Sequence, residues 1–504
     1  MKFNVFRKAK ATVNYEGAQA YPLDKRTALY SAVVTTSLSD KFYEGSQERL
    51  NRIRTLIAQN DPAFVARLAI YARNKMYMRS IPMVLAVELA KTKTAEGIVR
   101  KAVNGIVQRA DEITELLAYY QLANDRKATK KLNKLSKQIQ YGLAEAFNKF
   151  DEYQFAKYNR DAEIKLKDAL FLVHPKAVNE GQQILFNKIA KDELATPYTW
   201  ETELSMLGQK KFASDKERKG AFRAKWEELV TSGKLGYMAL LRNLRNILEA
   251  EVSAEVIERV CVQLAAPEPV AKSKQLPFRF LAAYREIRDL QCGYIPMVLD
   301  ALEDAVAQSA CNIRGFAKNT SVVIACDVSG SMQKSISAKS KIMNYDIGLM
   351  LGMLLQSRCQ NVQTGMFGDT WKIINVSRKN ILANVQEFYK REGEVGYATN
   401  GYLVLYDLIA RKKAVDKIMM FTDCQLWNSN GAQRSITSLW KQYKMIAPQA
   451  RLYLFDLAGY GNTPLDVRED DVCLIAGWSD KIFDVLAALE EGADALAKID
   501  EMPL

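Results

Sequence analysis

The sequence predicts an α-helical solenoid of the HEAT kind followed by an α/β domain with a doubly wound sheet, and three observations carry that reading. From about residue 27 to 315 apolar residues recur at helical spacing, in short runs punctuated by Pro, Gly or Asn. Beyond them, two apolar runs, Ser321–Cys326 and Lys417–Phe421, lead into the acids Asp327 and Asp423. Buried parallel strands read this way when they deliver ligands at the carboxyl edge of a sheet. Finally, 504 residues exceed one ordinary core and predict two or three domains. The change of pattern places the boundary between 317 and 318, with residues 1–317 helical and 318–504 α/β.

In the helical part, Leu50, Ile53, Leu56 and Ile57 form one stripe after Ser46, a residue suited to an N-cap. Asp61-Pro62 opens the next helix, Ala63 to Lys75, with Pro in the first turn, where a missing N–H costs nothing. Ile81-Pro82-Met83-Val84-Leu85 recurs as Ile295-Pro296-Met297-Val298-Leu299, an internal echo in keeping with repetition. Between them, Arg126, Lys127, Lys130, Lys131, Lys134 and Lys137 fall at three- and four-residue spacing, with Leu132, Leu135 and Ile139 opposite. That spacing predicts a helix with a cationic ridge over an apolar face. Charge is segregated: residues 1–150 hold 26 Lys+Arg against 13 Asp+Glu, whereas 151–317 hold 24 against 24 and 318–504 hold 21 against 21. The excess points to a polyanion partner for the N-terminal part, the plainer reading being a solvated basic face.

The α/β part carries Asp327-Val328-Ser329-Gly330-Ser331, a carboxylate and two hydroxyls spaced two residues apart. Hard oxygens without His or Cys suit Mg²⁺ rather than zinc, while a turn using Ser and Gly for its backbone needs is the alternative. The polar loop Tyr397–Gly401 precedes a helical pattern from Tyr402 to Lys412, and the strand ending in Asp423 follows. This order of Asp-x-Ser-x-Ser, Thr and Asp resembles the metal-ion-dependent adhesion site of von Willebrand factor A domains. The resemblance implies that Asp327, Ser329, Ser331, Thr399 and Asp423 form the shell of a Mg²⁺ ion that keeps a position open for an acidic side chain of a protein ligand. Two positions depart from that pattern: Thr399 lacks a preceding Gly pair, and Cys424 stands where many such domains have Gly.

Phe64–Arg73 with Met78-Arg79-Ser80-Ile81-Pro82, Lys157-Tyr158-Asn159-Arg160, Asp168–Lys176, Leu241–Asn246 and Ser273–Phe280 closely resemble the TROVE module. That module occurs in the Ro autoantigen and its bacterial orthologues and in telomerase- and vault-associated proteins. In Ro-type proteins a von Willebrand A domain follows it directly, and Leu457–Gly461 and Ile475–Lys481 also look like that family. The resemblance covers essentially the whole chain. It implies a HEAT-like ring closed by the A domain, with small non-coding Y RNAs on its outer surface and single-stranded 3′ ends of misfolded RNAs in its basic hole. It also implies a role in RNA quality control, processing or decay alongside an exoribonuclease, with no nuclease activity of the chain's own. By the same resemblance His174 is an RNA contact, with Lys157 and Arg160 upstream. Lys167 and Lys176 are nearby candidates, and Arg79, Arg242 and Arg245 are hole-lining ones. Imidazole donates or stacks, and Lys and Arg neutralise phosphate.

The remaining composition narrows the classes. Seven scattered cysteines without a Cys-x-x-Cys pair suggest neither disulfides nor zinc, and read as small buried residues in a reducing compartment. No run approaches a membrane span, and the expectation is a soluble, unexported, cytoplasmic protein. His174 is the only histidine, so no His pair or His-dependent triad exists within the chain, and one Mg²⁺ without a general base is poor equipment for phosphoryl displacement. An RNA-binding protein is thus the leading reading, and a Mg²⁺-dependent protein-interaction scaffold the alternative.

Overall fold

The computed structural model describes residues 11–36, 38, 41, 43–92, 95–124, 135–159, 161–337, 340–427 and 435–504. It divides into two compact units, Arg54–Val260 with Lys498–Leu504, and Met1–Ile53 with Cys261–Ala497. The line drawn in the sequence at 317/318 separates types of secondary structure. Compactness instead groups the N-terminal segment and the last helices before residue 317 with the sheet.

The first unit is helical. After α1 (Lys25–Val34), which belongs to the other unit, α2 (Ser46–Ala58) crosses into it and is followed by α3 (Pro62–Asn74), α4 (Ser80–Leu89), α5 (Ile98–Ile106), α6 (Asp111–Ala123) and α7 (Lys137–Phe147). Then come α8 (Glu152–Tyr158), α9 (Leu166–Val173), α10 (Glu180–Lys191), α11 (Trp200–Gly208), α12 (Asp215–Thr231), α13 (Tyr237–Glu249) and α14 (Ala254–Ala265). Helices α3, α5, α7 and α9 pack in succession, and α4 packs on both α3 and α6, which is the stacking of helix pairs expected of a solenoid. Its helix starts are written locally. Asp61 accepts from the Phe64 N–H at 2.9 Å, and Pro62 takes the first helical position. Both Ile-Pro-Met-Val-Leu segments open helices, α4 and α17 (Ile295–Ser309). The cationic ridge, expected as one helix reaching Lys137, does not run through that residue. Ser136 is an extended N-cap (φ −55°, ψ 128°), so α7 starts afresh at Lys137; Lys127, Lys130, Lys131 and Lys134 lie outside the described residues.

The second unit is built on a six-stranded sheet of order β5-β4-β3-β6-β7-β9: β3 (Ser321–Asp327), β4 (Asn361–Phe367), β5 (Trp371–Ile373), β6 (Lys417–Thr422), β7 (Arg451–Asp456) and β9 (Val472–Ala476). All pairs are parallel except β4–β5. Both faces are covered, so the strands are apolar on both. Val323, Ala325, Ile418, Met420, Leu452 and Leu454 pack with α20 (Tyr402–Ala410) and α21 (Ile436–Ile446). The opposite face, with Ile324, Cys326 and Phe421, meets Gly352 of α18 (Asn344–Arg358). Helices α15 (Pro267–Ser273), α16 (Phe278–Ile287) and α17 join this unit through α18 and α19 (Ile381–Arg391). There Arg285 of α16 makes a two-pronged ion pair with the fully buried Asp346 of α18, at 2.7 and 2.9 Å. Removing one partner of such a pair costs about 3–5 kcal/mol, because the other charge is left buried.

The N-terminal hairpin, β1 (Thr12–Val13) and β2 (Gln19–Pro22), forms a small sheet with β8 (Asn462–Thr463), Tyr21 pairing with Thr463. The unit closes with α22 (Ile482–Glu490); α23 (Ala497–Asp500) starts at the unit's last residue, and Lys498 onward belongs to the helical unit. The cysteines are more varied than expected: none of the seven is in a disulfide, but only Cys326, Cys359 and Cys424 are buried, and Cys311 is exposed. No helix among the described residues is long and apolar enough to cross a membrane.

Candidate functional site

Strand β3 pairs with β4 on one side and β6 on the other, so the sheet's switch point lies between β3 and β6, where open α/β sheets form their crevice. Asp327 ends β3 and Asp423 follows β6, which brings the two carboxylates to one edge, each 1 % exposed. Asp327 accepts from the Ser329 N–H at 2.9 Å and from the Thr422 hydroxyl of the neighbouring strand at 2.6 Å. Ser329 and Ser331 place their hydroxyl oxygens 3.3 Å apart, with Ser331 on the short 3₁₀ turn Gly330–Gln333. The Thr399 loop is held by its own backbone: the Thr399 carbonyl accepts from the Gly401 and Trp427 N–H groups, and the Asn400 N–H donates to Gly368. The close approach that a Gly pair before Thr399 would have given comes from elsewhere. A Cβ on Gly368 would lie 2.0 Å from the Gly396 carbonyl oxygen, so glycine is required there. Cys424, the other departure, adopts φ +63°, the left-handed conformation that Gly takes without strain.

Two buried oxygens of this constellation, Thr399 Oγ1 and Asp423 Oδ2, have no hydrogen-bond partner among the described residues. An unsatisfied buried polar atom costs about 1–3 kcal/mol, and a cation relieves it. Burial pushes both carboxyls above the ordinary carboxylate range, and the negative charge of Asp327 pushes Asp423 further. Among the described residues no group of three His, Cys, Asp or Glu side chains suits a metal. The donor set is instead two carboxylates and three hydroxyls, which fits a hard divalent ion of the Mg²⁺ type. Sequence reasoning missed Thr422, whose only signal is its place before Asp423, and Asp456 at the end of β7. Asp456 accepts from the Ala458 and Gly459 N–H groups and from Ser31 of α1.

The candidate nucleic-acid residues lie in the helical unit. Phe155 of α8 packs on Phe147 and Phe150 at the end of α7. The loop after α9 is tied to the same end, because Asn148 donates to the Lys176 carbonyl and accepts from the Val178 N–H. Lys157 and Lys176 are therefore brought toward the end of α7, while His174 lies further along that helix, where the Val173 carbonyl accepts from Gln140; all three are exposed. His174 caps α9 in the left-handed conformation (φ +50°), which leaves its ring in solvent. Lys157 lies 5.7 Å over the Tyr158 ring, and Arg109 lies 4.3 Å over the same ring. Arg109 shares Asp111 with Arg79 at 2.8 and 3.0 Å, so Arg79 joins this cluster through a carboxylate. No sequence pattern links Arg109 to Tyr158, and only the fold joins them.

The other candidates differ. Lys167 is paired with Asp192 at 2.7 Å, which neutralises much of its charge. Arg242 and Arg245 stand apart on α13, exposed, with Arg245 bonded to Glu249 at 2.8 Å. Arg160 lies outside the described residues. A cavity of about 420 Å³ beside Lys157, Tyr158 and Asn159 is walled by Leu194–Pro197 and Glu201.

Residues 23–221 and 190–320 match the TROVE domain, and 321–489 match the Ro60 vWA domain. The chain is 23 % identical over 343 residues to telomerase protein component 1 of Rattus norvegicus, covering 53 % of the chain and 13 % of that protein. It is 25 % identical over 313 residues to the Mus musculus protein, covering 47 % and 11 %. The chain thus spans only a small part of the length of these curated relatives. The crystal structure of the Deinococcus radiodurans Ro (RSR) protein is similar in fold, with a TM-score of 0.59 over 94 % of this chain and 100 % of that one, at 16 % identity.

Proposed function

The chain belongs to the family of TROVE-domain proteins that carry a Ro60-type von Willebrand A domain, and from that premise we propose that it binds RNA without altering it covalently. The RNAs are small structured non-coding species of the Y type and misfolded RNAs with single-stranded 3′ ends, and the role is quality control, processing or decay in the cytoplasm alongside an exoribonuclease. The observation that carries the reading is the solvent-facing Lys157 and Lys176 toward the end of α7, with Tyr158 beside Lys157 and the exposed His174 further along the same helix. Neither Lys157 nor Lys176 has an ion-pair partner among the described residues, so both are available to phosphate. Tyr158 and His174 add π-faces on which an unstacked base rests.

The A-domain reading accompanies it. Asp327, Ser329, Ser331, Thr399 and Asp423 would hold Mg²⁺, supported by the two buried oxygens that lack partners. A bound ion of this kind attracts a hard anionic oxygen. The scaffold alternative, a metal-dependent contact with an acidic protein ligand, rests on that site alone.

A direct test compares one structured RNA with and without an unpaired 3′ extension in a filter-binding assay. The tailed RNA is expected to bind more tightly, on the order of tenfold, as one or two stacked bases would give. Equal affinities would remove the single-strand element of the proposal and leave a binder of structured RNA.

A further inference from the structure

A hard cation such as Mg²⁺ takes six oxygens, and the five side chains at the switch point supply five when each gives one. The chain itself reaches over the hydroxyl side of that site. The turn at the tip of the β1–β2 hairpin docks on the loop after β6: Asn14 Nδ2 donates to the Leu426 carbonyl at 2.8 Å, and the Tyr15 N–H donates to Gln425 Oε1 at 3.0 Å. Gln425 in turn donates its N–H to Asp423. The turn is rigid in its own right, since Asn14 Oδ1 accepts from the Glu16 and Ala18 N–H groups and Gly17 sits at φ +79°.

Three tyrosines complete the cover. Tyr15 stacks on Tyr43 with centroids 5.1 Å apart, and both meet Tyr460 edge-on, at 5.4 and 5.5 Å. The Tyr43 hydroxyl donates to the Glu16 carboxylate and also meets the Ser331 hydroxyl, close to Asp423. The segment is clamped behind: Arg49 and Arg52 both pair with the buried Glu44 and donate to the Ala458 and Gly459 carbonyls. Lys41 lies 4.4 Å over the Trp478 ring with its amine 3.5 Å from Asn344 Oδ1, and burial pushes that amine well below the usual lysine range against the pull of Asp456, Glu44 and Asp423.

We propose that the Tyr43 hydroxyl, held in place by Glu16, is the chain's own occupant of the remaining position on the metal, an internal ligand that an incoming carboxylate must displace by lifting the N-terminal hairpin. The proposal rests on the metal reading given above. The Tyr43 hydroxyl has the required chemistry, a hard oxygen that already touches one metal-shell residue, and Glu16 behind it accepts its proton and fixes its direction. Displacing it breaks the anchors at Leu426 and Gln425 and unstacks Tyr15 from Tyr43.

The test uses the full chain loaded with Mn²⁺, whose effect on water-proton relaxation counts exchangeable water on the ion. Bound Mn²⁺ in the wild type is expected to show low relaxivity that acetate does not change. In Tyr43→Phe one water position opens, relaxivity rises and acetate lowers it again, and Glu16→Gln, which loosens the anchor of the hydroxyl, moves relaxivity the same way. A wild type whose bound Mn²⁺ responds to acetate as the variants do has an open site, and the internal ligand is refuted, whatever the variants' folding. If neither wild type nor variants hold Mn²⁺ above the background set by Asp327→Ala, the metal reading itself fails and the proposal falls with it.

Discussion

Asp327→Ala should abolish divalent-ion binding and leave RNA affinity within about twofold of wild type, since the basic contacts are charge-driven and belong to the other unit. The substitution removes a carboxylate and also strands the Thr422 hydroxyl and the Ser329 N–H that it accepts from. Asp327→Asn removes the charge but keeps the shape: its Oδ1 still accepts from the Ser329 N–H and its Nδ2 donates to the Thr422 hydroxyl oxygen, reversing that bond, so it separates metal loss from local collapse. Isothermal titration with Mg²⁺ and filter binding with RNA read the two properties independently. Loss of both in a folded Asp327→Asn protein would show that metal and RNA share one site. Protons compete with the cation, because burial and the Asp327 charge hold both carboxyls above their ordinary range in the metal-free protein. Metal affinity therefore falls as pH drops below neutral, by up to about tenfold per unit for each carboxyl that must lose a proton. The metal-free stability runs the other way. In the window between the ordinary carboxylate range and neutrality the folded state holds more protons than the unfolded one, so the pair costs stability as pH rises, and Mg²⁺ restores it.

Removing Lys157 and Lys176 together should weaken binding of all structured RNAs alike. The slope of log K against log salt should fall by about 0.7 for each phosphate no longer neutralised, and affinity by on the order of tenfold per phosphate. Lys167→Ala is the internal control. Its ammonium already faces Asp192, so its removal should change the slope by much less. Equal effects from Lys167 and from the Lys157/Lys176 pair would mean that the surface acts through bulk charge, with no defined binding point at the end of α7.

What could be read from the sequence was local. The Asp61-Pro62 helix start, the two strands ending in acids and the helix after Gly401 depend on neighbours a few residues apart, and each stands where expected. Asp327, Ser329 and Ser331 are legible from their two-residue spacing after a strand, whereas Thr399 and Asp423 enter the set through the resemblance to the adhesion site. What escaped depends on long-range closure. The hairpin joins the sheet unit through Tyr21 and Thr463, a pairing that no local pattern announces. Arg109 meets Lys157 only through Tyr158, and Lys167 is quieted by an acid that sits at the end of another helix. Cys424 departs from a glycine position of the resembled pattern, yet its backbone takes the left-handed conformation that glycine favours.

The central claim, that RNA is held by the helical unit through the group around α7, is tested most directly by ultraviolet crosslinking of the full chain to a labelled tailed RNA, followed by mapping of the crosslinked peptides. The expected result is crosslinks within residues 54–260, strongest at Tyr158, His174 and their neighbours, with the A domain unlabelled. Crosslinks confined to 321–489, or none above those of a protein-free control, would contradict it.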